Sequence, residues 1–221
     1  MRRQYAVIGL GRVGAALVAT LDSLGHDVLG IDCDEEIVQN LSAEVPNANL
    51  VASDDATDGI VLRDLGIESF DGVAVTIGED VEASVLVTLI LKDLGVPLIL
   101  ARANSLLQAR VLERVGADRV VQPEREFGEF LAHQMASPGI QDYLELGGNA
   151  AIARMTVPGN WVGKSLSELR LPDREGVNVI TLEREGRDAV IPRAGDTLKE
   201  GDVLVLGGPK KRLTELEDRM G

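Results

Sequence analysis

The chain has 221 residues and a formal net charge of −14, from 36 Asp and Glu against 22 Lys and Arg. That balance excludes a nucleic-acid binder, which needs a basic footprint on phosphate, and a protein held directly on an anionic membrane surface. A single cysteine, Cys33, excludes an internal disulfide framework and points to a reducing compartment, while the length allows one large or two modest domains.

The N-terminus, Met1 to Gln4, leads into an apolar run of strand length, Tyr5–Ile8, with no signal-peptide core ahead of it. The run stops at Gly9 and an alanine- and leucine-rich helical pattern opens beyond it. Gly9-Leu10-Gly11-Arg12-Val13-Gly14 therefore reads as the G-x-G-x-x-G turn of a dinucleotide fold. Gly9 permits the tight turn, Gly11 lets phosphate approach bare backbone, and Gly14 brings helix against strand. The helix N-terminus at Arg12 and Val13 favours an anion. The glycine pattern alone is weak, but Asp32 strengthens it: it ends the next strand-like run, where a Rossmann carboxylate accepts hydrogen bonds from a ribose diol. Asp34 lies beside it with no arginine near either, which disfavours the 2′-phosphate of NADP. Cys33 reads as a small residue next to the ribose acid.

Strand candidates follow at Asp27–Ile31, Asn49–Ala52, Gly72–Thr76, Leu98–Ala101 and Arg119–Val121, separated by helix candidates near Arg12–Leu24, Glu35–Ala43, Asp58–Leu65, Val81–Leu94, Ser105–Val115 and Glu124–Met135. Six strands alternating with helices predict a doubly wound, Rossmann-like α/β parallel sheet, whose ligands sit at the carboxyl ends of the strands. The third of those ends carries Asp55, Ala56 and Thr57, with Thr57 the expected helix cap and Asp55 either turn chemistry or an acceptor for an adenine amino group. The fourth carries Thr76, Ile77 and Gly78, where glycine lets backbone pass close to base or ribose. The fifth adds a second cation, Arg102. At the sixth, Pro123 opens a helix and Glu124 is a first-turn acid suited to the helix dipole.

Val81–Leu94 is apolar on almost every side, yet Glu82, Lys92 and Asp93 interrupt it and it is too short to span a bilayer. A helix of this kind is buried on more than one side, and the reading adopted is a homo-oligomeric surface, with burial under the chain's own helices as the alternative. A domain boundary is expected at Ser137-Pro138-Gly139, giving domains 1–138 and 139–221. The second, a small α+β domain, has strand patterns at Ile152–Val157, Val177–Glu183, Asp188–Ile191 and Val203–Leu206 and helices at Ser165–Leu169 and Lys210–Met220. Gly159-Asn160-Trp161-Val162-Gly163-Lys164-Ser165 has one residue too few between its glycines for a phosphate loop, so it reads as a turn, an aromatic anchor and a capped helix.

Catalysis finds no support. His26 precedes the second strand, away from the ligand edge, His133 lies among Phe130, Leu131 and Met135, and Tyr143 has no lysine four residues on. Cysteine and histidine are too sparse for a zinc site. The nucleotide is therefore read as a regulator. Arg12 can reach beyond the first phosphates, which favours ATP and ADP over NAD(H), the alternative ligand of an NAD-linked redox sensor or oxidoreductase.

Ala6–Arg12, Asp32, Asp55-Ala56-Thr57, Leu112–Asp118, Gln122-Pro123-Glu124, Val162–Leu166 and Leu198–Leu204 together give a near end-to-end resemblance to the KtrA/TrkA family of RCK (regulator of potassium conductance) proteins, the single-unit KtrA type above all. The resemblance implies a cytoplasmic homo-octameric ring built from dimers, peripheral to the inner face of the membrane. It gates a KtrB/TrkH-like potassium-transport subunit, with ATP favouring the active shape and ADP the inactive one. It places Gly9, Gly11 and Gly14 on the phosphates, Asp32 on ribose, Asp55 on adenine and Arg12 on terminal phosphates, also across a dimer interface. Glu124 matches a glutamate that helps hold a divalent cation (Mg or Ca) between paired γ-phosphates. Some relatives bind cyclic di-AMP in the C-terminal domain; Pro192 and Val177–Ile180 fit such a pocket, but Leu171-Pro172-Asp173 stands where those relatives place an arginine.

Overall fold

Short apolar runs that must bury both faces form the strands of a parallel sheet. The structure, a computed structural model, describes residues 1–53, 56–136, 140–146, 148–184 and 188–218. It divides into two units, Met1–Glu124 and Arg125–Gly221. The first holds β1 (Gln4–Ile8), β2 (Asp27–Asp32), β3 (Asn49–Ala52), β4 (Gly72–Val75), β5 (Ile99–Arg102) and β6 (Arg119–Val121), in the order β3-β2-β1-β4-β5-β6 with parallel pairing throughout. The intervening helices are α1 (Arg12–Ser23), α2 (Glu35–Glu44), α3 (Gly59–Asp64), α4 (Val81–Asp93) and α5 (Leu106–Val115); α6 (Pro123–Ala136) begins at the unit boundary.

Alternation along β1 shows why helices cover both faces. Ala6 and Ile8 join a core with Ile31, Val75, Leu91 and Leu112 on one side, and Val7 joins Leu10, Val18, Val28 and Leu41 on the other. Side-chain caps fix several helix starts: Asp34 for α2, Asp80 for α4 and Ser105 for α5. The cap of α3 is Asp58, which accepts from the Ile60 amide at 2.7 Å, one residue beyond the expected Thr57. Helix α4 buries Ser84, Val87, Thr88 and Leu91 and packs on α5, leaving Val81, Leu86 and Leu89 open. Burial under the chain's own elements thus accounts for one stripe, and the other stays exposed in the single chain.

The second unit is an antiparallel sheet of β7 (Ile140–Glu145), β8 (Ala150–Thr156), β9 (Asn178–Glu183) and β10 (Val203–Pro209), in the order β7-β8-β10-β9. It is accompanied by α7 (Leu166–Leu169), α8 (Leu171–Arg174) and α9 (Lys210–Asp218). Met155, Trp161, Leu182, Leu204, Leu206 and Leu213 form its core. The false phosphate loop is a 3-10 turn over Gly159–Trp161, followed by a capping box in which Ser165 and Glu168 serve one another. Sequence pattern misses β7 because it is an edge strand whose polar residues face water. It overstates Asp188–Ile191: among the described residues only Val190 bridges, to Leu182, and Pro192 then lacks the N–H to extend a ladder. It also misses α8, whose Pro172 sits in the first turn and whose Leu171 is core.

Across β10, Arg154 of β8 reaches Glu183 of β9 at 2.6 Å (Nη2) and 3.1 Å (Nε). That hydrogen bond holds the Glu183 carboxyl below the usual carboxylate range. A lowered folded pKa contributes stability that is present above the unfolded value and lost as pH falls through the folded one. Arg154→Gln is expected to destabilise this unit by about 0.5–1 kcal/mol at neutral pH. The difference from the parent should shrink below about pH 4, as read from urea denaturation at the two pH values.

Candidate functional site

Between β1 and β4 the strand order reverses, because the chain leaves β1 for β2 on one side and returns to β4 on the other. Helices there diverge and the strand ends open into a crevice, here a cleft of about 960 Å³. Its floor is bare backbone. Gly9 has φ +95°, and a Cβ on it would lie 2.9 Å from the Ile77 amide nitrogen. A Cβ on Gly14 would strike the Gly9 carbonyl oxygen and lie 2.8 Å from Thr76 Oγ1. Thr76, buried, donates its hydroxyl to that same Gly9 oxygen at 2.5 Å. Gly11 has nothing within 4 Å of its would-be Cβ and offers no side-chain cap, so the first-turn amides of α1 are left to meet a ligand.

One end of the cleft is lined by Asp32, Cys33, Asp34, Ile37, Ala56 and Thr57. Asp32 accepts from the Leu10 amide at 2.5 Å and the Asp34 amide at 2.9 Å, tying β2 to the glycine turn and keeping a second lone pair on each oxygen. Asp34 is engaged in capping, accepting from the Glu36 and Ile37 amides at 2.8 and 3.3 Å. Partial burial, then the Asp32 charge, pushes the Cys33 thiol up, which disfavours a reactive thiolate.

The opposite end gathers Gly78, Arg102, Asn104 and Glu124, joined by Arg12, whose charge acts on Glu124. Arg102 Nη2 lies 2.5 Å from Glu124 Oε1. Its Nη1 occupies the space over Gly78, where a Cβ would come within 2.6 Å, and the Asn104 amide donates to the Gly78 carbonyl. Gly78 thus has a reason beyond ligand approach: it makes room for a guanidinium. The Glu124 carboxyl is held below the usual range, first by its own backbone amide and then by Arg102 and Arg12.

Gly9, Gly11, Arg12, Asp32, Asp34, Ala56, Thr57, Thr76, Ile77, Gly78, Arg102 and Glu124 thus line one cleft. Val13 and Gly14 stand behind its wall in the first turn of α1, and Asp55 lies outside the described residues. Ile37 and Asn104 are lining residues that sequence reasoning missed. Ile37 is signalled only by its place one turn into the helix that follows Asp32, and Asn104 only by lying two residues past Arg102. His26 packs edge-on against Tyr5 with ring centroids 5.2 Å apart, at the amino ends of the strands; the His133 side chain lies outside the described residues. No cluster of three His, Cys, Asp or Glu side chains suited to a metal exists among the described residues. Glu124 could therefore hold a divalent cation only with oxygens from a ligand completing the shell. Among the described residues, no helix is long and apolar enough to cross a membrane.

The TrkA-N domain family matches residues 5–123 and the TrkA-C domain family residues 151–221. "Ktr system potassium uptake protein C" of Bacillus subtilis is 34% identical over 100% of this chain and 98% of its own. "Ktr system potassium uptake protein A" of Vibrio alginolyticus is 36% identical over 96% of this chain and 94% of its own. Among solved structures, the GsuK RCK domain aligns over the whole chain with a TM-score of 0.70 at 23% identity, a likeness of fold. The GsuK channel bound to NAD aligns over 99% of the chain with a TM-score of 0.50 at 29% identity. The chain spans 48% and 38% of those two longer chains.

The Thr76 hydroxyl couples β4 to the glycine turn. Thr76→Val keeps the shape and leaves the Gly9 oxygen without that donor, so a loss of about 1–2 kcal/mol is expected. Urea denaturation should show it, and Thr76→Ser should recover most of it.

Proposed function

The chain belongs to the family of TrkA-N and TrkA-C domain proteins, and from that membership we propose that it is a nucleotide-sensing regulatory subunit of a potassium uptake system. The observation that carries the reading is the charge pattern of the cleft. A ribose-type acid, Asp32, marks one end, helix N-terminal amides lie in the middle, and two guanidinium groups stand at the other. That order matches a purine nucleoside followed by a lengthening phosphate tail.

In this reading Asp32 takes the ribose, and Gly11 and the first turn of α1 take the first phosphates. Arg12, in its own cleft and across a dimer interface, answers the terminal phosphate, and Glu124 shares a Mg or Ca ion with it. Asp55 is the proposed adenine acceptor. The nucleotide is a regulator: the lining offers a thiol disfavoured as thiolate and a threonine already committed to Gly9. ATP and ADP can shift a ring between shapes only by binding one of them better. Open apolar stripes support self-assembly, with Val81, Leu86 and Leu89 on α4, Leu106, Leu107 and Val111 on α5, and Phe127, Leu131 and Met135 on α6. The assembly we propose is a homo-octameric ring built from dimers, docked at the cytoplasmic face on a membrane potassium-transport subunit. The two Ktr potassium uptake proteins, matched nearly end to end, support that partner.

A second reading, an NAD(H)-linked redox sensor, is favoured by the NAD-bound GsuK neighbour. Calorimetric titration separates the two. Arg12→Ala is expected to weaken ATP by about tenfold or more, the worth of a charge-assisted hydrogen bond, while ADP and NADH change by less than about threefold. Equal losses for all three would overturn the role given to Arg12. Tight NADH binding with little ATP affinity in the parent would favour the redox reading.

A further inference from the structure

Resting on the nucleotide reading above, we propose that Arg102 and Glu124 act as a selectivity pair at the far end of the cleft. Arg102 exchanges the Glu124 carboxylate for a ligand's terminal phosphate, and the intact pair disfavours a ligand that ends in an uncharged riboside.

Unequal burial of the two partners is the first observation. The Arg102 side chain is 17% exposed and that of Glu124 56%. The guanidinium is fixed, walled by Gly78 and the loop that Asn104 clamps, whereas the carboxylate stands where it can swing into water. Glu124 is the exchangeable partner. The second observation is unfilled donor capacity. Among the described residues, one Nη2–Oε1 contact of 2.5 Å serves a group with five N–H donors, and the buried Nε finds no hydrogen-bond partner among them. A phosphate with several oxygens can answer more of the fork than this single carboxylate contact does.

The third observation is charge balance. Arg102 pairs with Glu124 and Arg12 lines the same cleft, so two cations share it with this carboxylate. In this structure Glu124 is the carboxylate paired with Arg102. A terminal phosphate replaces it and brings more charge, and the two anions then separate or share a cation. A nicotinamide riboside brings no anion to this end. To occupy it, the riboside must part Arg102 from Glu124 and leave a largely buried guanidinium unpaired, which costs affinity. An ion pair that merely fastened β5 to α6 would change stability and leave the ranking of ligands alone.

The test uses the full chain, dialysed against EDTA and titrated calorimetrically with ATP, ADP and NADH. Arg102→Gln is expected to weaken ATP by about tenfold or more, ADP by no more than about threefold, and to leave NADH unchanged or tighter. Glu124→Gln removes the competitor and one repelling charge, so without divalent cations it should tighten ATP by about threefold or more. Should Arg102→Gln not fold, as judged by thermal melting, Arg102→Lys keeps the charge without the fork and should still weaken ATP more than NADH. Parallel losses for all three ligands on changing Arg102, or a Glu124→Gln protein that binds ATP no better in EDTA, would overturn the selectivity pair and leave the nucleotide reading intact. A parent protein that binds none of the three would overturn both.

Discussion

A Cβ at residue 14 would strike the carbonyl oxygen of Gly9, and one at residue 9 would press on the amide of Ile77. The ends of β1 and β4 and the first turn of α1 therefore meet through bare backbone. Everything at the site depends on that closeness. It lets Thr76 reach the Gly9 oxygen and Asp32 reach the Leu10 amide, so three strand ends are fastened to one turn. With the turn fastened, the N-terminal amides of α1 point into the crevice that strand order opens between β1 and β4. The glycines are needed for packing first, and the room they leave for phosphate follows from it.

Much of this was legible in the chain, for a definite reason. Strands buried on both faces must be short and apolar, and the helices between them must carry one apolar stripe, so the six-strand alternation could be read to within a residue or two. What escaped was set by tertiary neighbours. Edge strand β7 breaks the alternation that one wet face would otherwise give, with Leu144 exposed and Gln141 half-buried. Asp34 lines the cleft, and its second task, capping α2 through one carboxylate oxygen, is not legible from its place beside Asp32. The Arg102–Glu124 contact joins residues 22 apart, and only the adjacency of β5 and β6 in the sheet brings those two strand ends together.

Chemistry at the cleft divides along the sheet. On the β2 and β3 side the acids are tied down: Asp32 and Asp34 each accept two backbone amides, so this end is rigid and suited to reading the constant part of a nucleotide. On the β5 and β6 side one anion remains exposed while its cation is held, so this end can answer the part that varies. A chain with net charge −14 would repel a polyphosphate at long range. On the proposed reading, the guanidiniums of Arg12 and Arg102 are the local cations that offset this.

Helix α4 connects that variable end to the surface. Its first turn, capped by Asp80 and including Ala83, lines the cleft next to Gly78. One face is locked into the core by Val87 and Leu91, and another carries the open stripe of Val81, Leu86 and Leu89. Within its 13 residues the helix therefore carries both a wall of the cleft and an open apolar stripe. In a ring whose subunits meet on that stripe, the ligand need not remodel the domain. Under the proposed assembly, a phosphate tail that favours one placement of α4 would favour one fit between neighbouring subunits, and differential affinity for the two fits is all that a population shift requires.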